Sequence, residues 1–164
     1  MTFVANVIDS TMMAGAVLLL AGLGELVSER SGVLNLGIEG ILLVGALTGF
    51  IATSITNNPY IGLLVAMFAG IGMASLHAFL TVTLKSNQVI SGVMLTLLGT
   101  GVTTYFGKPY ISASIRGFSD IMVPVVGNEL AALPLIGPLF SGTPTEYLAF
   151  LMVPVVWFFL TKTN

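Results

Sequence analysis

The residues best placed to do chemistry lie in Ser28–Gly40, read SERSGVLNLGIEG, between two strongly apolar runs. Of the seven acidic residues in the 164-residue chain, Glu25, Glu29 and Glu39 fall within this stretch or just before it, and it holds Arg30, one of five basic residues. A charge at or inside a membrane boundary is costly unless paired or hydrated, so each of these is a functional candidate. Glu29, Arg30, Ser31 and Gly32 alone read equally well as a polar turn between two hydrophobic helices. That reading does not reach Asn35 and Glu39, which are carried into the next apolar run beside Gly37 and Gly40. An amide and a carboxylate among glycines point to irregular or closely packed backbone, lining a protein interior or a water-filled path.

The surroundings are those of a membrane protein. The chain is 55% hydrophobic and 7% charged, where a soluble domain carries about 25% charge. A net charge of −2 is too small to imply a nucleic-acid partner or a polybasic lipid contact. With no cysteine and one histidine, disulfides and thiolate metal sites are excluded, and neither a catalytic metal nor a cofactor is expected. The N-terminus, MTFVANVIDSTMM, lacks the basic segment of a cleavable signal peptide, so the first apolar run is expected to be retained.

A spanning helix needs about 20 mostly apolar residues. Five runs qualify: Ile8–Val27, Val33–Ile55 (interrupted by Asn35 and Glu39), Tyr60–Leu84, Val89–Phe106 and Pro144–Leu160. The predicted fold is therefore an all-α integral membrane protein, one transmembrane domain over residues 1–164 with about five transmembrane helices. Asn57-Asn58-Pro59 is a turn signal, and Lys85-Ser86-Asn87-Gln88 a short polar connection. Lys108–Thr143 is a long connection rich in Gly and Pro, and a polar tail, Thr161–Asn164, closes the chain. Alternating crossings put Arg30, Lys85 and Lys162 on one side. Lys108 and Arg116 fall on the other, among Asp120, Glu129 and Glu146. Positive residues in short loops favour the cytoplasm. This places the N-terminus outside, the C-terminus inside, and makes the long connection extracytoplasmic.

Small residues mark the expected helix interfaces. Ala66, Gly70, Ala74 and Ala78 recur every fourth residue, and Gly45 and Gly49 form a GxxxG. In lipid, such residues let backbones approach closely. His77, next to this ridge, reads first as an interfacial histidine bonded to a neighbouring helix, and second as a proton relay. The fourth run carries a polar, small face of Gly92, Thr96, Gly99, Thr100, Thr103 and Thr104, extended by Ser91 and Gln88. Its threonines are expected either to bond back to their own helix and pack, or to line a path for a polar solute. Asn35, Glu39, Gln88, Thr96 and Thr100 are the candidate pathway residues. In the long connection, the apolar pieces Ile121–Val126 and Leu130–Leu139 argue against disorder.

The segments ERSGVLNLGIEG and LKSNQVISGVMLTLLGTG (Leu84–Gly101) resemble the signature runs of ABC importer permeases of the branched-chain amino acid and simple-sugar superfamily. The similarity is greatest to its nucleoside-type branch, which works with lipoprotein binding proteins, and it covers nearly the whole chain. The resemblance implies a permease subunit for nucleosides or simple sugars in a prokaryotic plasma membrane. It also implies an ATP-binding subunit, a second permease subunit, a lipoprotein substrate-binding protein and a small polar solute as partners. Under it, the long connection would form the outer gate. Such permeases are about twice this length, and their cytoplasmic coupling segment would follow Lys162, so the chain corresponds to an N-terminal half.

Three other readings remain at this level. A secondary transporter would use Glu39 and His77 as ion or proton carriers. An intramembrane enzyme lacks a credible acid–base or nucleophile–base constellation, and no GxxxxGK[ST] phosphate loop is present. The chain is therefore not expected to be an enzyme. An inert fragment of an interrupted permease is the third.

Overall fold

The computed structural model describes residues 3–115 and 142–162, and every regular element in them is helical. The helices are α1 (Phe3–Arg30), α2 (Ile38–Thr56), α3 (Pro59–Ala78), α4 (Gln88–Gly107) and α5 (Pro144–Lys162). A widened turn, Phe79–Thr83, extends α3, and a tight turn, Lys108–Tyr110, extends α4. Five helices among the described residues are long and apolar enough to cross a membrane, which is the architecture of an all-α membrane protein. The apolar pieces expected at 121–126 and 130–139, with Arg116, Asp120 and Glu129, lie outside the described residues.

The described residues fall into two compact units, one of residues 25–115 and one of residues 3–24 with 142–162. In the first, α2 is the central helix and packs on both α3 and α4. A Cβ at Gly70 would touch Ile41 at 3.7 Å, and one at Gly49 would meet Ala66 Cβ at 3.1 Å. Gly62 lies directly against the Thr53 hydroxyl. These contacts pair rising numbers in α2 with falling numbers in α3, so the two are antiparallel. Against α4 the numbers rise together: Gly37 meets Gly92 and Leu95, Gly40 meets Leu95 and Thr96, and Leu47 meets Gly107. Hence α2 and α4 are parallel.

Local chemistry sets the helix ends. Asn57 turns left-handed (φ 52°) after α2, and the Asn58 side chain accepts the Tyr60 N–H, with Pro59 at the start of α3. The Asn87 side chain accepts from Val89 and Ile90 at 3.0 and 3.2 Å, capping α4. Helix α1 runs three residues past the expected Val27. It ends at Arg30 because Gly32 adopts φ +87°, a conformation open to glycine. The Gly32 N–H then donates to Glu29 O and the Val33 N–H to Ser28 O, the paired bonds of a Schellman termination.

In the second unit, Thr143 and Glu146 start α5. The Glu146 carboxylate, 3% exposed, accepts the Thr143 N–H at 3.1 Å and the Thr143 hydroxyl at 3.0 Å. This is the reaching-back half of a capping box, with Pro144 at the first helical position. Glu146→Ala should cost about 1–2 kcal/mol by removing that cap. The cost is read as a lower melting temperature of detergent-purified protein.

Candidate functional site

The spacing read as one helix from Val33 is two pieces in the structure. Residues 31–37 are not helical, and α2 begins only at Ile38. Asn35 therefore lies in the break, and Glu39 in the first turn after it. The cause is local. Gly32 ends α1, and Asn35 Oδ1 accepts the Gly37 N–H at 3.1 Å, a side-chain turn that competes with helix.

The contacts with α4 fix how deep this break lies. Leu34 is held by Gln88, the first residue of α4. Gly40 and Gly99 lie backbone to backbone, with a Cβ on Gly99 only 2.5 Å from Gly40 O. At 1.5 Å per residue, Leu95 to Gly99 lie about 11–17 Å along a helix about 30 Å long. Helix α2 thus begins near the middle of α4, and residues 32–37 run beside the first half of α4 as open backbone.

Open backbone at membrane depth is tolerated only where its polar groups are satisfied. Here side chains from three helices satisfy them. Gln88 Oε1 accepts the Leu34 N–H at 2.8 Å, and Gln88 Nε2 donates to Gly32 O at 3.2 Å. Glu25 Oε1 accepts the Asn35 N–H at 2.9 Å, and the Ser28 hydroxyl donates to Val33 O at 2.7 Å. The Thr96 hydroxyl donates to Leu36 O at 3.3 Å. His77, 2% exposed, places Nε2 3.2 Å from Leu34 O and Nδ1 3.2 Å from Ser91 Oγ. A carbonyl can only accept, so Nε2 donates to Leu34 O, and Nδ1 pairs with the Ser91 hydroxyl. Thr81, in the widened turn, donates to His77 O at 2.8 Å. His77 is thereby an interfacial residue joining α3, α4 and the break.

The candidate pathway residues separate under this accounting. Both ends of the Gln88 amide and the Thr96 hydroxyl are committed to backbone. The exposed Thr100 bonds back to Thr96 O at 2.9 Å. The Asn35 amide hydrogens and the exposed Glu39 carboxylate have no partner among the described residues. Two further polar atoms are buried without one, Glu25 Oε2 and Thr103 Oγ1.

The small-residue stripes divide as well. Gly45, Gly49, Ala66 and Gly70 lie along the α2–α3 contact, whereas Ala74 and Ala78 are exposed. Helix α2 has already ended where they would pair: Ile41 faces Gly70, so the partner of Ala74 would fall near residue 37, in the break. Sequence reasoning put Gly92 and Gly99 on one small face without naming its partner, and missed Gly62 as a contact glycine and Glu25 and Ser28 as supports of the break.

Residues 7–164 match the protein family described as branched-chain amino acid transport system, permease component. A Haloferax volcanii protein provisionally named a glucose ABC transporter permease is 57% identical over 165 residues, covering 100% of this chain and 50% of its own length. A guanosine ABC transporter permease protein of Bacillus subtilis is 30% identical over 170 residues, covering 96% and 52%. A nucleoside ABC transporter permease of Lactococcus lactis is 25% identical over 171 residues, covering 96% and 52%. The chain thus spans about half the length of the curated relatives it matches. No solved structure matches.

Proposed function

The chain belongs to the branched-chain amino acid transport system permease family, and from that premise we propose that it is the membrane-spanning permease part of an ABC importer. The observation that carries the reading is the family match over residues 7–164. The broken helix supports it. Its backbone is held by side chains that a neighbouring helix can lend or withdraw, and two polar groups beside it are left free for a passing solute. In this reading the chain performs no bond chemistry. A separate ATP-binding subunit hydrolyses ATP, a second permease subunit completes the path, and a lipoprotein binding protein delivers the solute.

The solute is a simple sugar or a nucleoside, and the 57% identity to a relative named for glucose favours sugar. The path runs past Asn35, Glu39 and Thr100, while Gln88 and Thr96 hold the break beside it. The host membrane is the plasma membrane of a prokaryote, with the N-terminus outside and the C-terminus in the cytoplasm.

The test of transport is uptake of labelled glucose and guanosine by source cells with and without an in-frame deletion of this gene. Loss of saturable, ATP-dependent uptake of one of them is the expected result. Unchanged uptake of both refutes the reading. Orientation is checked separately, since the chain has no cysteine of its own. An impermeant thiol reagent applied to intact cells should label Lys108→Cys and miss Lys85→Cys. Labelling of Lys85→Cys from outside reverses the proposed topology.

A further inference from the structure

We infer that residues 33–37 form a switch with two hydrogen-bonded states, open as in this structure and wound as a further turn of α2. Its place in transport rests on the permease reading above, whereas the switch itself does not.

The segment Val33-Leu34-Asn35-Leu36-Gly37 contains no proline, and its apolar residues continue the pattern of α2. Its backbone groups have two sets of partners. In an α-helix the N–H groups of Gly37, Ile38, Glu39 and Gly40 donate to the carbonyls four residues back, those of Val33, Leu34, Asn35 and Leu36. Here three of those carbonyls are held by side chains. Ser28 donates to Val33 O at 2.7 Å, His77 Nε2 to Leu34 O at 3.2 Å and Thr96 to Leu36 O at 3.3 Å. The Gly37 N–H is held by Asn35 Oδ1 at 3.1 Å. The first turn of α2 has no side-chain cap, and among the described residues the Ile38, Glu39 and Gly40 N–H groups have no acceptor. The open state thus leaves the start of α2 unpaired. Winding pairs it and releases Gln88, His77 and Thr96, so neither state satisfies every group. A segment provided for twice in this way has two discrete arrangements, the property that a moving part needs.

Winding also shortens the chain. An extended residue spans about 3.3 Å and a helical one about 1.5 Å, so five residues contract by up to about 9 Å. The end of α1 and the start of α2 are drawn together by that amount. In the permease reading this is the motion that changes access beside the break, driven by whatever pulls Gln88 and Thr96 of α4 away from it.

The experiment places paired nitroxide labels at Ser31→Cys and Glu39→Cys. Both positions are exposed and flank the segment, and the chain has no cysteine of its own. The labelled chain in lipid nanodiscs is compared as parent, Asn35→Ala and Asn35→Gly, each with and without Gln88→Leu, by electron spin resonance distance measurement. Both Asn35 variants lose the bond to Gly37, but alanine favours helix over glycine by about fivefold. A second population with the labels closer by up to about 9 Å is expected. It should grow on Gln88→Leu and be about fivefold more abundant, relative to the open one, with alanine than with glycine. Equal broadening with alanine and glycine reports plain loosening and overturns the switch. One unchanged distance in every sample overturns it as well. Should Gln88→Leu not fold, the Asn35 pair alone makes the same comparison. Uptake of labelled glucose and guanosine by source cells carrying Gln88→Leu tests the use of the switch. Vmax should fall several-fold with little change in KM, because a biased switch slows the cycle without touching the solute. Unchanged Vmax beside a grown short-distance population overturns its place in transport. Absence of gene-dependent uptake in the parent refutes the permease reading, and the label distances still decide the switch.

Discussion

Gly99→Ala should destabilise the protein by about 1–3 kcal/mol, and Gly99→Leu should leave no folded protein in detergent. A Cβ at this position would lie 2.5 Å from Gly40 O, 2.6 Å from Gly40 Cα and 2.8 Å from Gly40 C. All three are backbone atoms, so no side chain can swing aside, and relief requires that the two helices separate. Gly40→Ala should behave alike, since its Cβ would meet Leu95 O and lie 2.7 Å from Thr96 Cα. Separation also withdraws Thr96 from Leu36 O, which unfastens the break. Alanine favours helix over glycine by about 1 kcal/mol, so the packing penalty has to exceed that gain to be seen. Gly101→Ala supplies the control. It lies two residues along the same helix, where a Cβ meets nothing within 4 Å, and it should be neutral or slightly stabilising. Melting by size-exclusion fluorescence compares all of them. Equal stability of Gly99→Ala and Gly101→Ala would refute the close crossing.

The fold class was legible because spanning helices are written in composition. Each of the five apolar runs became a helix, and Asn58 and Asn87 mark starts that a sequence can show. The break was half legible. Asn35, Gly37 and Gly40 signalled irregular or close-packed backbone, but the apolar residues around them extended the expected helix back to Val33. Hydropathy scores side chains, and what stops α2 at Ile38 is a left-handed Gly32 and a carboxamide bonded to Gly37.

The roles of Gln88 and Thr96 were less visible still. A polar side chain in an apolar run invites a solute as its partner. Here the partners are carbonyls and N–H groups of residues more than fifty positions away, which every sequence contains and none displays. The stripe through Ala74 and Ala78 lies beyond the reach of α2 for a complementary reason. Periodicity reports which residues share a face, but the length of the opposing helix decides where that face is covered.

His77→Phe should cost about 2–4 kcal/mol and should loosen the break before it unfolds the bundle. Phenylalanine has a similar bulk but no ring nitrogen, so Leu34 O and the Ser91 hydroxyl would both lose their partner. Leaving a buried polar group unsatisfied costs about 1–3 kcal/mol, and little water reaches a site where His77 is 2% exposed. Gln88→Leu removes the other grip on the same residue, the bond from the Leu34 N–H, together with the bond to Gly32 O. Gln88→Glu separates these two, because a carboxylate still accepts from Leu34 but cannot donate to Gly32. Amide hydrogen exchange distinguishes this clamp from ordinary packing. The Leu34 and Asn35 amides donate only to side chains, Gln88 and Glu25, so their protection depends on those residues, not on a helix ladder. Gln88→Leu should accelerate exchange at Leu34 and leave the amides of α3 unchanged, whereas Gln88→Glu should preserve protection at Leu34. His77→Phe and Gln88→Leu share Leu34, so their combined cost should depart from the sum by more than about 0.5 kcal/mol. Strict additivity, with Leu34 exchange unaltered in both variants, would mean that the two side chains do not act on one segment, and the broken helix would then need another support.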